Sequence, residues 1–84
     1  MLQDTSLEAY KSIMPELGDM QQDVYYAIAK NPGMSNHDIA RYLHIEINRV
    51  TPRVKELRDL NLIVFSHYKQ DRITQRTVMC WRLP

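Results

Sequence analysis

The sequence predicts a mainly α domain closed by a β-hairpin, an α+β arrangement on one small core. Three observations carry this reading. Apolar residues recur at three- and four-residue spacing as far as Leu60. The pattern then changes: Leu62-Ile63-Val64-Phe65-Ser66-His67-Tyr68 and Thr77-Val78-Met79-Cys80-Trp81-Arg82-Leu83 are rich in β-branched and aromatic residues, as strands are. And 84 residues provide for a single domain, which hides only about 60–65 % of its surface on folding.

The elements follow in order. Asp4-Thr5-Ser6 offers N-caps to a short helix near 6–14, whose stripe is Leu7, Tyr10 and Met14 and continues to Leu17. Pro15 breaks it, because the residue before a proline is pushed out of the helical region. Asp19 caps a second helix running to Lys30, with Met20, Val24, Ala27 and Ile28 on one face. Asn31-Pro32-Gly33 stops it. Ser35 caps a third helix, and Asp38 three residues on completes a shortened capping box. Ile39, Ala40 and Leu43 form its buried face. A fourth helix spans about 47–60, with Val50, Val54 and Leu57 sharing a face. Pro52 lies inside it, so the helix either starts at Ile47 and distorts at Pro52, or starts at Thr51 with Pro52 as its first residue. Two strands follow, 62–68 and 77–83, joined by the polar, basic stretch 69–76. The chain therefore divides into an arm and linker, 1–18, and a domain, 19–84.

Composition narrows the function. One cysteine, Cys80, rules out an internal disulfide and favours a cytoplasmic protein. Two glycines cannot build a phosphate-cradling loop. His37, His44, His67 and Cys80 lack zinc spacing, and no Ser/His/Asp set is spaced for nucleophilic catalysis, so neither an enzyme nor a metal or cofactor protein is expected. No apolar run is long enough to span a bilayer, and the N-terminus lacks the features of a signal peptide. The net charge of +1 conceals an asymmetry. Residues 1–46 hold three basic against seven acidic side chains, net −4, and residues 47–84 hold eight against three, net +5. The second half is suited to an anionic partner.

The pair of helices around His44 carries the sharpest pattern. Ile39-Ala40-x-x-Leu43-x-Ile45, followed by Val50, Val54 and Leu57, is the core of two helices crossing at a tight turn. Ala40 is small enough for close crossing and Ile45 plugs the turn. With Asp38-Ile39-Ala40-Arg41-Tyr42-Leu43, Asn48-Arg49-Val50-Thr51-Pro52-Arg53-Val54-Lys55-Glu56-Leu57-Arg58, Leu62-Ile63 and the terminal Trp81-Arg82, the chain resembles the winged helix-turn-helix family over residues 19–83. It is most similar to the small versions found in bacteria and their phages. The resemblance implies a three-helix core, an extra N-terminal helix and a two-stranded wing. Glycine is usual in that family where His44 and Asn61 stand, and near Gln75 in the wing. His and Asn are the better non-glycine choices for a left-handed backbone.

The resemblance also implies a mechanism, in which the exposed start of the fourth helix enters the major groove of duplex DNA. Asn48 and Arg49 would read bases, since Asn pairs with adenine and Arg with guanine in a bidentate manner. Thr51 and Pro52 would touch base edges or methyl groups, and Arg53 and Lys55 phosphates or base edges. Ser35, Asn36 and His37, at the start of the third helix, would meet a phosphate through backbone N–H groups. Lys69, Arg72 and Arg76 would set the wing on the backbone or in the minor groove. Each has a plainer role available: Asn48 as a cap, Arg49 and Arg53 paired with Glu46 and Glu56, the wing cations as solubilisers of an edge strand.

The expectation is a sequence-specific, double-stranded-DNA-binding transcriptional regulator, with no small-molecule effector and no membrane partner. A homodimer through residues 6–17 would double its few base contacts, although that stripe could equally pack on its own domain. The alternatives are a winged helix that binds protein, or a DNA-binding part of replication or packaging machinery. Trp81 reads as core, Tyr42 as packing, and of Tyr25 and Tyr26 one as buried and the other exposed.

Overall fold

The computed structural model describes residues 16–84. The helix expected near 6–14, and with it most of the proposed dimer arm, lies outside the described residues. The last member of that stripe, Leu17, is buried in the core of this domain.

Three helices and three strands follow: α1 (Asp19–Lys30), β1 (Met34–Ser35), α2 (Asn36–Leu43), α3 (Ile47–Asp59), β2 (Val64–Gln70) and β3 (Thr77–Arg82). Gly18, not Asp19, is the N-cap of α1. The Gln21 side chain reaches back to accept the Gly18 N–H at 2.9 Å, and Asp19 becomes the first helical residue. There its charge still favours the positive helix end. Val24, Tyr25, Ala27 and Ile28 of α1 are buried, and Tyr26 points outward.

Ser35 caps α2 as its sequence suggests. Its hydroxyl accepts the Asp38 N–H at 3.2 Å, and Asp38 Oδ2 accepts the Ser35 N–H at 3.1 Å. Ser35 also belongs to β1, a two-residue strand the sequence does not announce, because two residues define no period. Met34 pairs with Trp81 and Ser35 with Cys80.

Both helices of the turn end in the same way. His44 and Asn61 stand in the left-handed region at φ 59° and 61°. In each case two carbonyls of the last turn are satisfied: Ala40 O by Ile45 N–H and Arg41 O by His44 N–H, then Leu57 O by Leu62 N–H and Arg58 O by Asn61 N–H. This is a Schellman cap. Two hydrogen bonds at a net ~0.5–1.5 kcal/mol each offset the ~1–2 kcal/mol that the left-handed backbone costs a non-glycine residue.

Helix α3 starts at Ile47 and continues past Pro52 to Asp59. The proline removes the N–H that would bond the Asn48 carbonyl, a loss of about 3 kcal/mol in a helix interior. Val50, Val54 and Leu57 are buried on the opposite side. At about 1.5–3 kcal/mol each, they outweigh it.

The sheet order is β1-β3-β2, all antiparallel, so β2 is an edge strand. The hairpin strands occupy 64–70 and 77–82 rather than 62–68 and 77–83. Leu62 and Ile63 are spent on closing α3 and filling the core. The connecting loop shrinks to 71–76, closed by the Asp71 N–H to Arg76 O bond at 2.8 Å and by Gln75, a third non-glycine residue with positive φ, at 65°. The core joins Leu17, α1, Ile39 and Ala40 of α2, the inner face of α3, Ile63 and Trp81. Tyr42, expected to pack, is exposed, because Ala40 and Leu43 already fill the inward face of this short helix.

Candidate nucleic-acid interface

The two-sidedness of α3 follows from its 3.6-residue period. With Val50, Val54 and Leu57 inward, Asn48, Arg49, Thr51, Pro52 and Lys55 point to solvent. Arg49 has no acidic partner among the described residues, although Glu46 lies three residues before it. The Thr51 hydroxyl donates back to Ile47 O at 3.2 Å and receives Asn36 Nδ2 at 3.5 Å.

Further along α3 the cations are occupied. Arg53 forks onto Glu56 at 2.7 and 2.8 Å, and Gln21 of α1 donates to the same carboxylate at 2.8 Å. Arg53 and then Gln21 hold the Glu56 carboxyl below the usual range. Lys55 pairs with Asp59 at 3.1 Å. Arg58 lies over the Trp81 ring, 4.7 Å from its centroid.

At the start of α2, Ser35 is fully buried and its side chain is committed to the cap, so only neighbouring backbone remains for a ligand there. Asn36 and His37 are half-buried. Asn36 Oδ1 accepts the Trp81 indole N–H at 2.8 Å, tying α2 to the sheet.

The wing divides in the same way. Lys69 is paired with Asp38 of α2. Burial pushes the Asp38 carboxyl up, but Lys69 and the Ser35 N–H more than compensate and leave it below the ordinary value. Arg72 and Arg76 are exposed and have no ion-pair partner among the described residues.

Between them sits a pair that sequence reasoning missed. Asp71 is only 1 % exposed, and Arg41 of α2 grips both its oxygens at 3.1 and 2.9 Å. Asp71 also accepts the N–H groups of Ile73 and Thr74 at 3.2 and 2.9 Å. The Arg41 fork, then the Thr74 N–H, depress its pKa far below the carboxylate range. The loop is thereby folded around one buried carboxylate and fixed to α2. Thirty residues separate the partners, and no local pattern links them.

Of the predicted site residues, the structure therefore brings Asn48, Arg49, Thr51 and Pro52 together on one exposed face, next to Asn36. Arg72 and Arg76 form a second group on the wing. Arg53, Lys55 and Lys69 are engaged internally. Among the described residues no cluster of His, Cys, Asp and Glu could hold a metal, and no helix is long and apolar enough to cross a membrane.

Comparison with known proteins agrees with this geometry. The family described as winged helix-turn-helix DNA-binding matches residues 18–64. No curated protein matches the sequence. Among solved structures, the crystal structure of MarR is similar with a TM-score of 0.62 at 17 % identity, covering 99 % of this chain. The chain spans 62 % of that protein's length, and at such identity the likeness shows the fold alone. Capped helices crossing at a tight turn, an outward polar face on the second, a hairpin beside it and a family match over more than half the sequence lead to one conclusion: the chain belongs to the winged helix-turn-helix DNA-binding family.

Proposed function

We propose that this protein binds duplex DNA sequence-specifically and acts as a small transcriptional regulator. The carrying observation is the exposed first half of α3, where Asn48, Arg49, Thr51 and Pro52 stand together and Arg49 is unpaired among the described residues. This half enters the major groove. Asn48 and Arg49 read base edges, and Thr51 and Pro52 contact methyl groups or edges. Arg72 and Arg76 meet phosphates or the minor groove. The start of α2, at Asn36 and His37, offers backbone N–H groups to a phosphate. Arg53, Lys55 and Lys69 contribute less, since each must first leave a carboxylate. Dimerisation through residues 6–17 remains part of the proposal for paired half-sites, with Leu17 excluded as a contact because it is core.

Fluorescence anisotropy on a random-sequence duplex across a salt series tests the reading. Affinity should fall linearly with salt on logarithmic axes, and removing Arg72 or Arg76 should reduce the slope by about one each. Selection from a random duplex pool should then yield a preferred sequence. A second reading, a winged helix that binds protein, is favoured by the internal pairing of Arg53, Lys55 and Lys69 and by exposed Phe65 and Tyr68. Absence of duplex binding at low salt would select it.

A further inference from the structure

One carboxamide joins three elements beside the exposed face of α3. Asn36 opens α2 and is half-buried. Its Oδ1 accepts the Trp81 indole N–H of β3 at 2.8 Å, and its Nδ2 donates to the Thr51 hydroxyl of α3 at 3.5 Å. The Thr51 hydroxyl in turn donates to Ile47 O at 3.2 Å. Trp81 is 3 % exposed, with the Arg58 guanidinium 4.7 Å from its ring centroid. The chain of bonds therefore starts from a fixed point of the core.

The direction of these bonds is set by what each group can do. An indole N–H only donates, so Trp81 faces the oxygen of the Asn36 carboxamide and the amide is left to face Thr51. The amide also only donates, so the Thr51 hydroxyl accepts from it. A main-chain carbonyl only accepts, so the single hydroxyl proton of Thr51 is committed to Ile47 O. Thr51 is left with one lone pair and a methyl group for a partner, and with no hydrogen bond to donate. This matters because threonine in a helix divides between two χ1 rotamers, its hydroxyl bonding to a carbonyl one turn back.

We infer that Asn36 is a positioning residue for base recognition. Its amide selects one Thr51 rotamer, so that α3 presents a methyl group and not a hydroxyl donor to the base pair that Thr51 meets. The inference rests on the duplex-binding reading and deepens it. A methyl group suits the C5-methyl of thymine and does not suit the acceptor edge of guanine, which requires donors. Asn36 acts through Thr51, since both ends of its own carboxamide are occupied. Trp81 anchors Asn36, so strand β3 and the outward face of α3 are tied together before any duplex is bound.

The test compares the full chain with its variants on a duplex selected by the wild type and on single-base-pair changes of that duplex. Thr51→Ala identifies the base pair concerned, as the one whose preference it removes. Asn36→Ala should lower discrimination at that same base pair about fivefold. Thr51→Val should keep it, because valine retains the methyl and is stiff in a helix without help. Asn36→Ala made in Thr51→Val should lower it no further. Loss of the Trp81 partner lowers the melting temperature in both backgrounds, so a merely structural effect would appear in both. Asn36→Asp offers oxygens to Trp81 and Thr51 and should keep discrimination, while its charge weakens every duplex alike. In the free protein, three-bond couplings of Thr51 should report one rotamer, and an average in Asn36→Ala. Averaged couplings in the wild type would overturn the inference without any duplex. So would loss of discrimination in Thr51→Val, or an equal effect of Asn36→Ala in both backgrounds. Unchanged discrimination in Asn36→Ala sinks the inference alone. Failure of the wild type to bind any duplex sinks the reading beneath it as well.

Discussion

In the first half of α3, Arg49 extends into solvent with no ion-pair partner among the described residues. In the second half, Arg53 and Lys55 are each held by a carboxylate three or four residues on. The wing repeats the contrast. At its base Lys69 and the loop around Asp71 are bound to α2, while at its tip Arg72 and Arg76 have no ion-pair partner among the described residues. A cation count over residues 47–84 treats all of these alike. The structure separates cations that hold the scaffold from cations available to a partner. Pairing with an acid at i+3 or i+4 is cheap in a helix because the two side chains already share a face. Arg49 has Pro52 and Arg53 at those positions, and so it has no such neighbour.

The sharpest break of this contrast is charge reversal of the free cation. Arg49→Glu should lower affinity for a selected duplex by about a hundredfold or more, since a bidentate base contact carries ~1–3 kcal/mol and repulsion from phosphate adds to it. Titration by anisotropy reads this, and an unchanged circular dichroism spectrum should accompany it. Next is the clamp behind the wing. Arg41→Ala and Asp71→Ala should each cost about tenfold in affinity, and neither should add to the loss in an Arg72→Ala/Arg76→Ala double variant. Additive losses would show that the clamp acts elsewhere than through the wing tip.

The clamp also sets a pH dependence. Asp71 and Asp38 have folded-state pKa values below their unfolded values. Their contribution to stability is therefore complete above the unfolded value of about 4 and is lost as pH falls through the lower, folded values. Thermal melts of the wild type should weaken below about pH 4, and those of Asp71→Asn less steeply. A smaller effect of opposite sign comes from Glu56→Gln, which releases Arg53. Affinity for any duplex should rise a few-fold, with some loss of melting temperature as α1 and α3 lose their shared carboxylate. Smallest is Lys55→Ala, an exposed i,i+4 pair. Stability should change by no more than about 0.5 kcal/mol, and duplex affinity by less than about threefold. A larger loss of affinity would return Lys55 to the contact set.

Much of this was legible in the residues. The stripes Val24-Ala27-Ile28 and Val50-Val54-Leu57 gave the helices because burial of one face leaves a 3.6-residue trace. Ser35 with Asp38 gave a cap, and His44 and Asn61 gave left-handed turns, because those geometries depend on the residue itself. The exposed set Asn48, Arg49, Thr51 and Pro52 followed from the same helical phase. Elsewhere local pattern was insufficient. Gly18 displaced Asp19 as cap through a side chain three residues away, and β1 exists only because β3 lies beside it. The hairpin strands shifted because Leu62 and Ile63 were needed to close α3 and fill the core.

By itself, then, the sequence determined the helices of the described domain, their stops, the presence of a hairpin and which face of α3 turns outward, all set by neighbours within about four residues. Only the tertiary structure decided which cations outside α3 are spent. It paired Arg41 with Asp71 across 30 positions and Lys69 with Asp38 across 31. It also turned Phe65 and Tyr68 to one side through a bulge whose cause lies in the pairing with β3. Ion pairs and strand register depend on distances between segments, and those exist only once the core has brought the segments together.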